Sequence, residues 1–158
     1  MSFRSGAIVL VFVLLTAAFA PAAANPVAAP AHDAALAKAL GADELGMRKY
    51  VLVVLKTGPK KMPAGPARDA MFKGHFANIH RLADEGTLAL AGPLDGVDGW
   101  RGLFVLATDD LAEAKRHVEQ DPVVANGEMV AEYHVFYGSA GLMLVNETHK
   151  KIASKQGP

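Results

Sequence analysis

The stretch YVLVVL at residues 50–55 constrains the fold more than any other part of the sequence. Every position is apolar and half of them are β-branched, which is typical of a β-strand. Side chains in a strand point alternately to opposite faces, so this pattern predicts a strand that is buried on both faces. The fold must therefore cover both sides of the sheet that contains it.

The elements around this strand predict an α+β protein with the ferredoxin-like fold. Such a fold has the order β-α-β-β-α-β, in which a four-stranded antiparallel sheet carries two helices on one face. Thr108 is predicted to cap the second helix, and Asp121-Pro122 to close it. The predicted elements are, in chain order, a strand at 50–55, a helix at 67–85, strands at 87–91 and 100–107, a second helix at 108–120 and a strand at 129–137.

Two helices can cover only one face of four strands, so the second face needs another cover. The simplest cover is the same face of a second copy, related by two-fold symmetry. This would give a homodimer, a dimeric α/β barrel with a chamber between two sheets. The alternative cover is the C-terminal tail, residues 139–158, folded under the sheet. We expect the tail to be loosely held from Asn146 onward.

The chain opens with the order of segments that is typical of a secretory signal peptide. One cation, Arg4, precedes a long apolar run, and small residues follow that run. We expect a signal peptide at 1–24, cut near Ala24, and hence a periplasmic or secreted protein with no membrane association after cleavage. An uncleaved anchor is the alternative, although the apolar run is shorter than the roughly 20 residues that a spanning helix needs.

The part of the chain after the leader divides into three segments. Residues 25–48 are predicted to be a Pro/Ala-rich linker with one short helix, AALAKAL, which Asp33 would cap and Gly41 would end. The folded domain is predicted at 49–138, and the tail follows it.

Composition excludes several classes of function. The chain has 16 Lys and Arg against 16 Asp and Glu, without a basic stretch, so we expect no nucleic-acid partner. The absence of cysteine excludes disulfides, thiol nucleophiles and Cys-ligated metals. The sequence contains no HExxH, G-x-S-x-G, phosphate-binding loop or dinucleotide fingerprint. We therefore expect no cofactor, and no metal either, because a histidine site would need three that converge.

His75 is the first candidate for chemistry. It shares the inward face of the first long helix with Met71 and Ile79. Such a histidine is either a core residue bonded to a carbonyl or a reactive group. His80 lies about 140° further round the helix, so it is expected to face solvent and cannot share a metal with His75 in the i, i+4 manner.

Asp121 is the second candidate. A turn that ends the helix accounts for the proline at 122. It accounts less well for the aspartate at 121. A carboxylate at the C-terminal end of a helix faces the negative end of the helix dipole, which disfavours it. This setting favours a cationic partner, and a histidine on the neighbouring helix would be one.

Two further residues are candidates for ligand binding. His134 lies in the fourth strand and shares one face with Glu132 and Phe136, and either face of that strand can be the chamber. Arg101 begins the third strand and could bind an anionic substrate. A surface arginine near a turn is the alternative interpretation.

These residues together resemble the YCII-related family over residues 50–137. The resemblance rests on a helix histidine, an AGP after the second strand and a DP after the second helix, in that order. The residues that carry it are His75, Ile79, Leu82, Gly86, Leu88, Ala91, Gly92, Pro93, Leu94, Gly102, Asp121 and Pro122. The resemblance implies a ferredoxin-like fold that dimerises into an α/β barrel. It also implies an active site built on a His–Asp pair, here His75 and Asp121. Some relatives eliminate chloride from chlorinated hydroxyquinol-type aromatics.

The resemblance suggests a mechanism for this chain. Asp121 would fix the imidazole tautomer of His75, whose other nitrogen would act as general acid or base on a small molecule in the chamber of the barrel. Gly92 would allow close backbone approach and Pro93 would fix the turn beneath the pocket. No nucleophile is evident, so proton transfer, elimination or isomerisation fits the residues better than acyl transfer. The alternative is a non-catalytic ligand-binding or structural dimerisation domain.

Overall fold

The computed structural model describes residues 31–155 of the chain. The sheet is four-stranded with the order β2-β3-β1-β4, and each neighbouring pair is antiparallel. The predicted order of elements and the α+β class are confirmed, and the arrangement agrees with the ferredoxin-like fold. The elements are α1 (Ala34–Leu40), β1 (Met47–Thr57), α2 (Pro66–Asp84), β2 (Leu88–Pro93), β3 (Trp100–Leu106), α3 (Leu111–Glu119), α4 (Pro122–Ala125), β4 (Met129–Ser139) and α5 (Val145–Ile152), with 3-10 turns at Val97–Gly99 and Ala140–Leu144.

The central strand β1 is buried on both faces, as its composition predicts. Its odd-numbered residues Val51, Val53 and Leu55 belong to the main core, which lies between the sheet and helices α2 and α3. Tyr50 belongs to a second cluster with Ala89 and Val105 on the other face of the sheet. The helices therefore cover one face, which we call the helix face, and the other is called the open face.

The C-terminal tail covers part of the open face. Leu142 and Met143, in the 3-10 turn after β4, pack against the cluster around Tyr50. The expectation that the chain is loosely held from Asn146 onward is wrong, because α5 begins at Val145 and is anchored. Asn146 donates its side-chain amide to the carbonyl of Leu88 at 2.5 Å, and Lys150 binds Asp84 at 2.7 Å.

The segment before the sheet is also held in place by hydrogen bonds. Asp33 caps α1 through the N–H of Leu36, and Gly41 ends it with a φ of 66°, as predicted. The guanidinium of Arg48 then joins the carbonyl of Leu40 to that of Ala107, with both distances at 3.0 Å. The sheet begins at Met47, inside the segment predicted as linker. The predicted signal peptide at 1–24 lies outside the described residues.

The start of α3 differs from the prediction. Asp110, not Thr108, is the N-cap, and its carboxylate accepts the N–H of Ala112 at 2.7 Å. The hydroxyl of Thr108 instead accepts the N–H of Asp110 and donates to Glu113. Both residues are good N-caps, so composition alone does not choose between them. No helix among residues 31–155 is long and apolar enough to span a membrane.

Candidate functional site

The candidate site lies between α2 and the helix face of the sheet. Helix α2 starts at Pro66, whose missing N–H is not needed in a first turn. Its buried residues are Met71, His75 and Leu82, so the histidine points inward as predicted. Only 8% of His75 is exposed.

The structure brings the two principal candidates together. Nδ1 of His75 lies 2.9 Å from both carboxylate oxygens of Asp121, which is completely buried. The carboxylate also accepts the side-chain amide of Asn78 at 2.9 Å and the backbone N–H of Val123 at 3.1 Å. An ionised carboxylate can only accept, and this one already accepts from Asn78 and Val123, so a nitrogen that faces it must donate. The arrangement therefore favours a proton on Nδ1 and a lone pair on Nε2.

The position of Asp121 corrects one step of the sequence argument. Helix α3 ends at Glu119, and Asp121 is the N-cap of the next short helix, α4, which begins at Pro122. The carboxylate therefore accepts an N–H at a helix start, where aspartate is favoured, and does not face the end of a dipole that repels it. Helix capping alone explains why position 121 is an aspartate. The contact with His75 is an additional hydrogen bond.

Three phenylalanines surround the imidazole. The ring of His75 stacks on Phe104 at 6.0 Å with an interplanar angle of 25°. Phe72 meets it edge-on at 6.2 Å, and the Phe76 ring is 5.4 Å away. These walls keep water from most of the ring and fix its plane.

Nε2 of His75 has no hydrogen-bond partner in the described part of the chain and is not completely buried. Nδ1, by contrast, is fully engaged. Within that part, the single buried side-chain nitrogen or oxygen without a partner is Nε of Arg68. Nε2 is therefore not completely sealed in the core, although only 8% of His75 is exposed.

Arg68 and Glu128 support one wall of the site, and sequence reasoning missed both. Glu128 accepts from Nη2 of Arg68 at 2.8 Å and from the N–H of Met62 at 2.6 Å. These bonds hold the pKa of the Glu128 carboxyl below its usual range. The guanidinium of Arg68 lies 4.6 Å from the ring centre of Phe72, which touches His75. The spacing of 68, 72 and 75 along one helix face was the available signal.

Asn78 is a third residue that sequence reasoning missed. It lies three positions after His75 on the same helix and donates to the same carboxylate. Its i, i+3 spacing was visible, but the position of Asp121 opposite it was not.

His134 lies away from the pair. It pairs with Leu52 across β1 and β4, on the open face, and its Nε2 is 2.8 Å from Glu132. Glu132 in turn binds Lys56 at 3.0 Å. The sheet separates this exposed cluster from His75, so a chamber between the open faces of two sheets would not contain the His75 ring of either chain.

The remaining predicted binding residues lie at the ends of β2 and β3. Gly92 and Pro93 close β2, and a Cβ on Gly92 would meet nothing within 4 Å. The close backbone approach occurs at Gly102 instead, where a Cβ would lie 3.1 Å from the carbonyl oxygen of Gly92. Arg101 is half-buried, and its charge helps to lower the pKa of Glu128. No hydrogen bond or salt bridge among the described residues joins Arg101 to His75.

The described residues form no cluster of three or more side chains that could hold a metal ion. At His75 the structure offers an imidazole with one hydrogen-bonded and one unbonded nitrogen, within aromatic walls. Its hydrogen-bond partner is the acceptor Asp121, whose carboxylate also accepts the side-chain amide of Asn78.

Fold and site together define an α+β protein of the ferredoxin-like type with a buried His–Asp pair on the helix face. The model of the YCII-related domain matches residues 47–137, which is more than half of the chain, and the chain belongs to this family. No curated protein matches it. Helix α1 and helix α5 lie outside the matched residues.

Proposed function

We propose that this protein is an exported small-molecule enzyme in which His75 and Asp121 form a general acid/base pair. The observation that carries the proposal is the asymmetry of the imidazole. Nδ1 is held at 2.9 Å by Asp121, while Nε2 has no partner among the described residues. This is the arrangement that general bases use, because a fixed tautomer presents a lone pair to the ligand.

In the proposed reaction, Nε2 takes a proton from a carbon or oxygen acid, and Asp121 stabilises the imidazolium that forms. The same nitrogen then returns the proton to another atom of the ligand or to a leaving group. Apart from the carboxylate of Asp121, which already accepts from Asn78 and the N–H of Val123, the described neighbours of the ring are three phenylalanines. The reaction class is therefore proton transfer, elimination or isomerisation, and the phenylalanine walls favour an aromatic or otherwise apolar substrate.

Two further parts of the proposal concern assembly and location. A homodimer would pack open face to open face and form the α/β barrel that the family resemblance implies. Val130, 44% exposed on that face, supports the idea, although Leu142 and Met143 of the same chain already cover part of it. The leader pattern at 1–24 supports export to the periplasm or the medium.

The test is catalysed hydrogen exchange. Enolisable aromatic ketones and hydroxyquinol-type aromatics would be incubated in D₂O, and loss of proton signal followed by NMR. We expect exchange with the wild type and loss of at least about 100-fold with His75→Gln, in line with the usual contribution of a general base. His80→Gln is the matched control, since His80 is exposed on the same helix. Equal exchange by wild type and His75→Gln would sink the proposal.

A second candidate function is a non-catalytic binding or assembly domain, and the capping role of Asp121 favours it. In that case the His75–Asp121 contact is a structural hydrogen bond that links α2 to the start of α4. His75→Gln keeps a donor for Asp121 but has no basic nitrogen. It should then leave both ligand binding and stability close to wild type, whereas His75→Ala would lower stability by about 3–5 kcal/mol.

A further inference from the structure

A cleft of about 710 Å³ lies on the protein, and none of His75, Asp121 and His134 lines it. Its walls are the C-terminal half of α2 and helix α5, and its floor is the edge strand β2. Its volume falls in the range of about 300–1,000 Å³ that ligand sites occupy. Because α5 lies beyond residue 137, this cleft is built partly from sequence outside the family match.

The inner surface of the cleft is apolar. Ile79 and Ala83 from α2, Leu88 and Leu90 from β2 and Val145 from α5 line it. Two contacts keep the walls in place. Asn146 binds the free carbonyl of Leu88 at the edge of the sheet, and Lys150 binds Asp84 across the mouth. These two contacts therefore fix helix α5 relative to β2 and to the end of α2.

The rim of the cleft is rich in nitrogen groups. Lys150 and Lys155 contribute two ammonium groups, and His80 and His149 stand beside them. The one carboxylate on the rim, Asp84, already binds Lys150 at 2.7 Å, which also lowers the pKa of Asp84. Lys155 makes no side-chain hydrogen bond to any residue between 31 and 155. The rim thus carries an excess of positive charge above an apolar floor.

We propose that this cleft binds a small amphiphilic carboxylate, with its tail along Ile79, Ala83 and Leu88 and its carboxylate at Lys150 and Lys155. An apolar floor with cations at the mouth complements a ligand that is apolar at one end and anionic at the other. The site is separate from Nε2 of His75 and does not depend on the proposed function.

The first experiment uses octanoate as the probe and the two isoleucines of residues 31–155 as reporters. Ile79 lines the cleft, whereas Ile152 lies on α5 with 75% of its surface exposed and does not line it. With ¹³C-labelled isoleucine δ-methyl groups, octanoate should move the Ile79 signal saturably and leave the Ile152 signal in place. No movement of Ile79, or equal movement of both, would overturn the proposal.

Charge variants then test the rim. Lys150→Gln should weaken octanoate binding about tenfold, because it removes one cation and also frees the charge of Asp84. Lys155→Gln should weaken it about threefold. Lys151→Gln is the matched control, since Lys151 lies on the same helix, pairs with Glu147 and does not line the cleft. An equal loss with Lys151→Gln would mean general attraction to a basic helix and would contradict the proposal.

Two comparisons locate the ligand and its charge. Octan-1-ol has the same tail without the carboxylate and should bind about tenfold more weakly. Equal binding of the alcohol would refute the anionic end of the site. His75→Gln should bind octanoate as the wild type does. If it abolished binding, the probe would be at the His–Asp pair and the cleft would not be its site.

Discussion

One carboxylate oxygen of Asp121 has two partners: it lies 2.9 Å from Nδ1 of His75 and 3.1 Å from the backbone nitrogen of Val123. The same group therefore orients the imidazole and starts helix α4. The hydrogen bond that starts this turn and the one that orients the imidazole share a single oxygen. A substitution at Asp121 should therefore affect both the turn and the orientation of His75.

Asp121→Asn should destabilise the protein although the side chains have nearly the same shape. His75, Asn78 and Val123 all present donors, and an asparagine would bring its own NH₂ among them. We expect a loss of about 1–3 kcal/mol in the free energy of unfolding, measured in urea. Asp110→Asn is the matched control, because Asp110 is an exposed N-cap where asparagine is equally good. A similar loss at both positions would mean that capping alone is involved.

The tautomer of His75 should depend on Asp121. In the neutral wild-type ring the proton is expected on Nδ1, because that nitrogen faces the carboxylate. Two-bond ¹⁵N–¹H correlation spectra distinguish the two tautomers. The Nδ1–H pattern should be present in the wild type and lost or mixed in Asp121→Asn. If the wild type already shows the proton on Nε2, the proposed orientation of the base is wrong.

Glu128 should make stability sensitive to acid. The Arg68 bond and the Met62 N–H lower the pKa of this carboxyl from 4.5 in the folded protein. The contribution of Glu128 is therefore present above about pH 4.5 and is lost as pH falls through the lowered pKa. Urea unfolding at pH 7 and pH 3 should show a smaller difference in Glu128→Gln than in the wild type.

The control for that prediction is Glu147→Gln. The pKa of Glu147 is also lowered, by Lys151, but this pair lies on the surface of α5. Exposed pairs contribute little and are screened by salt. Glu147→Gln should leave the acid dependence almost unchanged at physiological salt, and an effect as large as that of Glu128→Gln would contradict the role given to the buried carboxylate.

Tyr133 should lose its phenolic proton only at an unusually high pH. Burial, with the nearby charge of Glu119, raises the pKa of its phenol to about 12. The unfolded chain would release this proton near pH 10, so the contribution of Tyr133 to stability is present below about pH 10 and is lost as pH rises towards 12. Alkaline titration of the tyrosinate absorption should show a late step that is missing in Tyr133→Phe.

The proposed homodimer can be tested at Val130. This residue is 44% exposed on the open face, where a second sheet would pack. Val130→Glu should convert a dimer to a monomer in sedimentation velocity without lowering stability, because Lys56 lies opposite it in the sheet. Val97→Glu is the control, since Val97 is 64% exposed in the turn before β3. A wild type that sediments as a monomer would contradict the dimer directly.

Hydrophobic period and turn residues were enough to predict the order of elements. The strand around Tyr50 required two buried faces, and the structure has a core cluster on each. The element ends were less predictable, because Thr108 and Asp110 are equally suitable caps and only packing decides between them. The tail differs from its prediction for a similar reason. Its polar helix has little intrinsic preference for order and is held by contacts with Leu88 and Asp84, far away in sequence.

The site was partly predictable. An inward histidine on α2 is visible from its spacing, but its partner lies 46 positions later, and no local pattern joins His75 to Asp121. The family resemblance supplied that link. The faces of β4 could not be assigned from alternation alone, and this is why His134 was grouped with a site that lies on the other side of the sheet.

The position of β4 has a consequence for how the chain reaches its native state. The central strand β1 is flanked by β3 on one side and by β4 on the other, and Met47 pairs with Ser139. One side of β1 therefore stays unpaired during folding until the segment that ends at Ser139 joins the sheet. Pairing across so long a sequence distance is slow compared with helix formation. Until β4 joins the sheet, the folding chain presents an exposed apolar strand that a holding chaperone can bind.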